Sequence, residues 1–217
     1  MAKYYYEGAQ ILAPFQILSN QPTYDSDTIS LKKQRGDQGY QRWELSFNCL
    51  ANDNMADLLV SSTQSAGSST PSTMIMPQLK EVTDLNTLAI PASYVWPTTS
   101  ATLTQPVVQT TVAANAAGAV IYNSNAINGI LKKGNFVKFS NHDKIYLVTA
   151  DASFSSVGHV TLSLYPKLRS PVPAGSILQL GSNALLSYHR KIDNIQGIVF
   201  TDGILSNVGT VDLSEAL

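Results

Sequence analysis

Cysteine occurs once in the 217 residues, at Cys49, so no disulfide can close within the chain. This scarcity fits a protein made and folded in a reducing cytoplasm. Charge is scarce too: Asp, Glu, Lys and Arg make up 13%, about half the usual share of roughly 25%. The formal net charge is −1, so no overall field draws the chain to nucleic acid or to an anionic membrane. No apolar run reaches the roughly 18 residues of a spanning helix. The opening Met1-Ala2-Lys3-Tyr4-Tyr5-Tyr6-Glu7 lacks the apolar stretch of a signal peptide. Catalytic signatures are missing as well. His142, His159 and His189 do not fall at helical ligand spacing, and one cysteine makes no zinc set. There is no Gly-x-Ser-x-Gly elbow, no phosphate loop and no Gly-x-Gly-x-x-Gly. The expectation is a protein that is not an enzyme, with no catalytic, cofactor-binding or metal-binding residues and no cofactor.

Neutral polar side chains take the place of charge: 24 Ser, 17 Thr, 14 Asn and 12 Gln. With 44% apolar residues beside them, the chain is neither a disordered segment, which would be charged and apolar-poor, nor a coiled coil. The composition fits a mainly β protein whose uncharged polar surfaces pack against other proteins.

The first clear strand is Arg42 to Leu50, where Trp43, Leu45, Phe47 and Cys49 alternate with Arg42, Glu44, Ser46 and Asn48. Cys49 shares the apolar face and reads as a small core residue. Asn52-Asp53-Asn54 offers capping side chains, and Met55, Leu58 and Leu59 share one helical face, which predicts a short helix at about Asn54 to Val60. From Ser61 to Pro77 the Ser- and Thr-rich composition predicts a long exposed loop. Leu79 to Val82 is a weak strand candidate, and Pro91, Pro97 and Pro106 punctuate a second irregular stretch.

After Pro106 short strands follow in quick succession. They are Val107 to Val112, Ala119 to Tyr122, Asn135 to Phe139, Lys144 to Thr149, His159 to Tyr165 and Ser176 to Leu180. Turns at Lys133-Gly134, Asn141-His142-Asp143 and Pro171 to Gly175 separate them. Short strands with tight turns and no helical crossover predict a small antiparallel barrel. Gln196 to Phe200 and Gly209 to Ser214 repeat the strand signature at the C-terminal end.

Charge divides along the same lines. Residues 1–100 are net −3, residues 101–185 net +4 and residues 186–217 net −2. The ends therefore share one sign and the middle has the other, which predicts a discontinuous module of 1–100 and 186–217 with a barrel of 101–185 inserted. Tyr122, Phe136, Phe139, Tyr146 and Tyr165 lie among the barrel's lysines, a composition that single-strand binders share. Alternation turns several of these rings inward, however, and the lysines read as a solvated face.

The order of these parts resembles the distal tail (Dit) proteins of long-tailed bacteriophages that carry an OB-fold barrel. The resemblance rests on Gln41-Arg42-Trp43-Glu44-Leu45-Ser46-Phe47 followed by a short helix, and on Leu131 to Tyr146 with its Lys-x-Gly turn. It extends to Leu162-Ser163-Leu164-Tyr165-Pro166-Lys167-Leu168 and to the closing Gly209 to Leu217. It implies a discontinuous β-rich ring-forming module with a short helix, plus an inserted OB-like antiparallel barrel. The implied role is a virion structural protein: a homo-hexameric ring at the tail tip or baseplate, assembled in the host bacterial cytoplasm. Its implied partners are further copies of itself, the tail tube protein, the baseplate hub or tail-tip proteins, and tail fibre proteins. No membrane and no stable nucleic-acid binding are implied, and the interface residues stay unassigned. A lumen that passes DNA is expected to be acidic or neutral, with Lys132, Lys133 and Lys144 facing away from it. The competing reading is an OB-fold binding module for a cell-surface glycan or single-stranded nucleic acid.

Overall fold

The computed structural model describes residues 5–6, 9–27, 33–37, 40–50, 70–76, 106–122, 130–191, 199–201, 204–207 and 210–217. They are mainly β, and the one helical turn among them is a 3-10 turn at Gly181–Asn183. The short helix expected at about Asn54 to Val60 and the strand at Leu79 to Val82 lie outside the described residues. No helix among the described residues is long and apolar enough to cross a membrane.

The strands in chain order begin with β1 (Tyr5–Tyr6), β2 (Ala9–Asn20), β3 (Thr23–Asp27), β4 (Lys33–Asp37) and β5 (Arg42–Cys49). They continue with β6 (Ser72–Ile75), β7 (Val107–Val108), β8 (Gly118–Tyr122), β9 (Ile130–Leu131), β10 (Phe136–Phe139) and β11 (Ile145–Val148). Then come β12 (Ala152–Ser153), β13 (His159–Tyr165), β14 (Leu178–Leu180) and β15 (Leu185–Arg190). The chain closes with β16 (Val199–Thr201), β17 (Ile204–Asn207) and β18 (Thr210–Glu215). The chain divides into two compact units: Lys3–Ser72 with Tyr188–Leu217, and Thr73–Ser187 with Met1–Ala2.

In the first unit, a sheet runs β1-β2-β5-β18-β15. The alternation of β5 holds: Trp43, Leu45, Phe47 and Cys49 are all buried, and Val211 and Leu213 of β18 lie opposite Phe47 and Leu45. Tyr6 meets the Phe47 ring edge-on at 5.3 Å and Phe15 stacks on it at 5.5 Å. Strands precede β5, contrary to the reading of Arg42 to Leu50 as the first. The longest of them, β2, hides its pattern behind Pro14. A proline has no N–H to give a ladder, and here the β2–β5 register shifts between Leu12 and Gln16, around that residue. The β3–β4 and β16–β17 pairs are hairpins.

The second unit is a curled sheet in the order β14-β10-β11-β13-β8-β7. It curls far enough that Val107 of the outer strand β7 forms a bridge with Ile177, just before the other outer strand β14. β10, β11 and β13 are spatial neighbours in chain order, and β13 lies beside the earlier strand β8, the order of a Greek key read in reverse. Val108, Ile121, Val137, Phe139, Val148 and Leu162 are among the side chains that fill the interior. Gly134 has φ +92°, so the expected Lys133-Gly134 turn uses the left-handed freedom of glycine. Gly118 is required for a different reason: a Cβ there would lie 2.2 Å from the Leu162 carbonyl oxygen.

Several boundaries move. The loop expected from Ser61 to Pro77 gives way to a strand at Ser72–Ile75, because Met74 and Met76 are buried while Thr73 and Ile75 are exposed. The run from Val107 to Val112 is broken: Gln109, Thr110 and Thr111 are exposed, and Val112 keeps a single bridge to Val172. Ser176 to Leu180 shortens to β14 for a similar reason, with Ile177 outside it as a bridge. Of the five barrel aromatics, Phe139 and Tyr146 point into the core. Tyr122 and Tyr165 sit half-buried on the outward face.

Candidate functional site

Two polar clusters interrupt the apolar packing, one in each unit. The barrel cluster grows out of the β10–β11 turn. Val137 and Phe139 face the barrel core, so Phe136 and Lys138 face the other way, with Ile145 opposite Lys138. Phe136 and Ile145 are nevertheless fully buried. Both faces of this hairpin are therefore covered, and the Lys138 ammonium can reach the connecting strand. It donates to the Leu185 carbonyl at 3.3 Å and pairs with Asp143 at 2.9 Å. The Ser187 hydroxyl donates to the same Asp143 oxygen at 3.2 Å. The β10–β11 turn is thus tied, within its own unit, to the segment Leu185 to Ser187 by one lysine, one carboxylate and one serine.

His142 lies beside this clamp and belongs to a second chain of bonds. Its Nε2 is 2.8 Å from the Tyr146 hydroxyl, which also accepts the Arg169 N–H at 3.1 Å. Its Nδ1 is buried with no partner. A bare acceptor is tolerated in such a place better than an orphaned N–H, which puts the proton on Nε2, donating to Tyr146. The expectation of ordinary turn chemistry at His142-Asp143 captured the turn and missed this network. A Ser, a His and an Asp are close here, but they are not wired as a nucleophilic relay. Ser187 bonds the carboxylate directly, and the imidazole bonds a tyrosine.

The cluster titrates in one direction. Burial holds His142 below its ordinary value of 6.5; Asp143 opposes this, and the charges of Lys138, Arg169 and Lys144 add to it. The hydrogen bond from Lys138 holds Asp143 below 3.8 despite its partial burial. Both folded-state values lie below the unfolded ones, so the stabilisation is complete at neutral pH and is lost as pH falls. The barrel's melting temperature is expected to drop first as pH passes below 6.5, through His142, and again below 3.8, through Asp143. Calorimetry across that range should show His142→Gln losing the first step and keeping the second.

In the sheet unit the corresponding centre is Glu44, buried on the face of β5 opposite Trp43 and Leu45. Its carboxylate accepts from Asn20 at 2.8 Å, from the Arg42 Nε at 3.0 Å and from the Lys191 ammonium at 2.7 Å. Burial pushes this carboxyl up, but the bonds from Lys191 and Asn20 and the charges of Lys191 and Arg42 outweigh it and hold it low. Both cations are about half exposed, so each pair by itself contributes only about 0–1 kcal/mol. Their joint effect is to hold the ends of β2, β5 and β15 in register. Glu215, at the end of β18, accepts the Trp43 N–H at 2.9 Å. Burial drives the Cys49 thiol up to about 11, against a smaller opposite pull from Arg190. Cys49 packs and stays protonated.

Among the described residues no group of three His, Cys, Asp or Glu side chains is placed to hold a metal ion. The lysines do not form a uniform solvated face. Lys133 is exposed, Lys132 pairs with Asp151 at 3.4 Å, and Lys144 is 2% exposed. Lys144 corrects the expectation, since it starts a hairpin whose outer face is covered. His189 is exposed on β15, and the His159 ring packs tilted against Tyr122.

Tyr5 and Tyr6 pair with Gln10 and Ala9, and no other described strand pairs with the outer side of β2. Leu18, on that strand, is 51% exposed.

Residues 103–177 match the family described as "Distal tail protein pb9, B domain". The matched segment spans roughly a third of the chain and takes in most of the curled sheet, from β7 to the residues just before β14. It supports a phage distal tail protein. No curated protein matches the chain.

Proposed function

We propose that this chain is a structural component of a phage tail, a ring-forming adaptor at the distal end that links the tail tube to the hub, tail tip or baseplate. The family match of residues 103–177 is the observation that carries this reading. In it, residues 1–100 and 186–217 form the ring module, and residues 101–185 form an inserted OB-like barrel. The barrel's small size and Greek-key order support that comparison, with six strands in place of the five usual in an OB fold. Six copies make the ring, in contact with tail tube protein above, hub or tip proteins below and tail fibre proteins outside.

Among the described residues the two-residue β1 is the one strand on the outer side of β2, and this supports assembly, because a sheet edge can take a further strand from another chain. Charge supports the placement of the modules. The net negative ends would line a channel without holding phosphate, and the net positive barrel would lie outside, where it meets acidic partners.

Immunogold labelling of negatively stained virions tests the proposal. Label is expected at the distal end of the tail, and averaged tails should show a six-fold ring there. Label on the capsid or along the tail shaft, or no label on virions that contain the protein, would overturn it.

A further inference from the structure

We propose that one edge of the Arg190 guanidinium is a receptor site for a single carboxylate, one that none of the described residues supplies. This inference stands on the sheet unit alone, and its failure would leave the ring-adaptor reading untouched.

The site begins with two hydrogen-bond donors that have nothing to bind. Arg190 closes β15 and is 8% exposed. Its Nε and Nη2 are buried, with no hydrogen-bond partner among the described residues. Buried polar groups are as a rule bonded, and buried charges are as a rule paired. Nor are these any two of the guanidinium nitrogens. Nε–H and Nη2–H lie side by side on one edge of the planar group and point the same way. That edge is the fork that holds both oxygens of a carboxylate in two parallel bonds.

The register explains why the edge is dry. Arg190 lies opposite Leu213, and Leu213 lies opposite Leu45, so the three share one face of the sheet. It is the apolar face, where Tyr188, Leu45, Leu213 and Cys49 are buried as well. The charge of Arg190 reaches the Cys49 thiol. No described acid of β5 or β18 answers that charge. Glu44 and Asp212 belong to the opposite face, where Glu44 meets Asn20, Arg42 and Lys191. Glu215 shares the face of Arg190 but accepts the Trp43 N–H.

The surroundings select the ligand. A positive charge among Leu, Tyr and Cys side chains is stabilised by an anion far more than one in water, because the local dielectric is low. A water or a neutral ligand would engage the donors and leave the charge unopposed. A nucleic-acid backbone brings a row of phosphates and needs a row of cations. On this face of β5, β15 and β18, Arg190 is the one cation among the described residues. One planar monoanion fits. Arg190 ends its strand, so the way in is at the strand end. A free carboxylate and an Asp or Glu side chain of a second copy of the chain share this chemistry, and the test separates them.

The test uses the full chain, isotope-labelled, and reads arginine Nε–H signals by NMR at neutral pH. The chain has four arginines, Arg35, Arg42, Arg169 and Arg190, so loss of one signal in Arg190→Lys or Arg190→Met identifies it. Sodium acetate is titrated against sodium chloride at constant ionic strength. A saturable downfield shift of the Arg190 signal is expected, half-complete at about 10 mM acetate or below. At tenfold that concentration the melting temperature of the sheet unit should rise by about 4 °C or more. Arg190→Lys keeps the charge without the fork and should lose this rise. Arg190→Met removes an unpaired charge from an apolar site, so without acetate it should melt no lower than the parent chain. A carboxylate from a second copy would instead make the shift follow protein concentration. Four results would overturn the proposal. The first is an Arg190 signal that responds neither to acetate nor to protein concentration. The second is an equal response to acetate and chloride, and the third is a rise that Arg190→Lys keeps. The fourth is Arg190→Met melting well below the parent chain without acetate, which would make Arg190 a packing residue.

Discussion

A single methyl group at position 118 is expected to destabilise the barrel unit strongly. In Gly118→Ala the new carbon would lie 2.2 Å from the Leu162 carbonyl oxygen and 3.4 Å from its carbon. Both contacts are with backbone, so no side chain can swing aside. β8 and β13 share five register positions, Gly118 with Ser163 through Tyr122 with His159. Relieving the clash means separating the strands at the end of that ladder. Leu164 donates its N–H to the Ala117 carbonyl just beyond it. Core overpacking usually costs about 1–3 kcal/mol when side chains can adjust. With only backbone to move, a loss of about 3 kcal/mol or more is expected, comparable to a large share of a small domain's stability. Urea unfolding followed by circular dichroism checks this, with Gly175→Ala as comparison. Gly175 also has a left-handed φ, +83°, but open space around it, so the strain there should cost about 1 kcal/mol.

In the other unit, Phe47→Ala is expected to lower stability by about 3–5 kcal/mol. Phe47 is 1% exposed, meets Tyr6 edge-on and stacks with Phe15. It lies opposite Val211, at the centre of the β5–β18 pairing. Truncation removes the transfer free energy of the ring and leaves a cavity that paired strands on either side cannot close. The register is held by the Glu44 bonds and by the Glu215 bond to the Trp43 N–H, so little collapse is available. Differential scanning calorimetry of the two variants should show different transitions affected: Gly118→Ala the one belonging to Thr73–Ser187, Phe47→Ala the one belonging to Lys3–Ser72 with Tyr188–Leu217. A shift of one shared transition by both variants would show that the two units unfold together.

Strict alternation made β5 and β13 legible, since each has four apolar residues at every second position, or three between polar ones, and that pattern survives only in a strand with one buried face. The position of Cys49 in the core followed from the same spacing. Turn chemistry was legible too, because Gly134 and Gly175 occupy left-handed conformations that few other residues adopt. The charge pattern marked a middle segment that differs from both ends.

Other features left no signal along the chain. β2 has Pro14 in its interior, which argues against a strand until the register shift around it is known. Ser72 and Thr73 extend a low-complexity run, and only their neighbours Met74 and Met76, buried elsewhere in the unit, reveal the strand. In the candidate sites, Lys138 and Asp143 are five residues apart but Ser187 lies 44 residues beyond Asp143; no spacing rule joins a turn to a strand that far along the chain. On β13, His159, Thr161, Ser163 and Tyr165 were legible as the outward positions of one alternating strand. That His159, Thr161 and Ser163 lie opposite Tyr122, Val120 and Gly118 needed the β8–β13 register.

The sequence by itself determined the class and the inward faces, because burial of apolar side chains depends on local period and composition. Only the tertiary structure decided what covers the other faces. Alternation in Phe136-Val137-Lys138-Phe139 names two opposed faces without saying that both are buried. That outcome depends on non-local packing, and it buries Lys144, ties Lys138 to Leu185 and leaves Thr161 and Ser163 of β13 exposed.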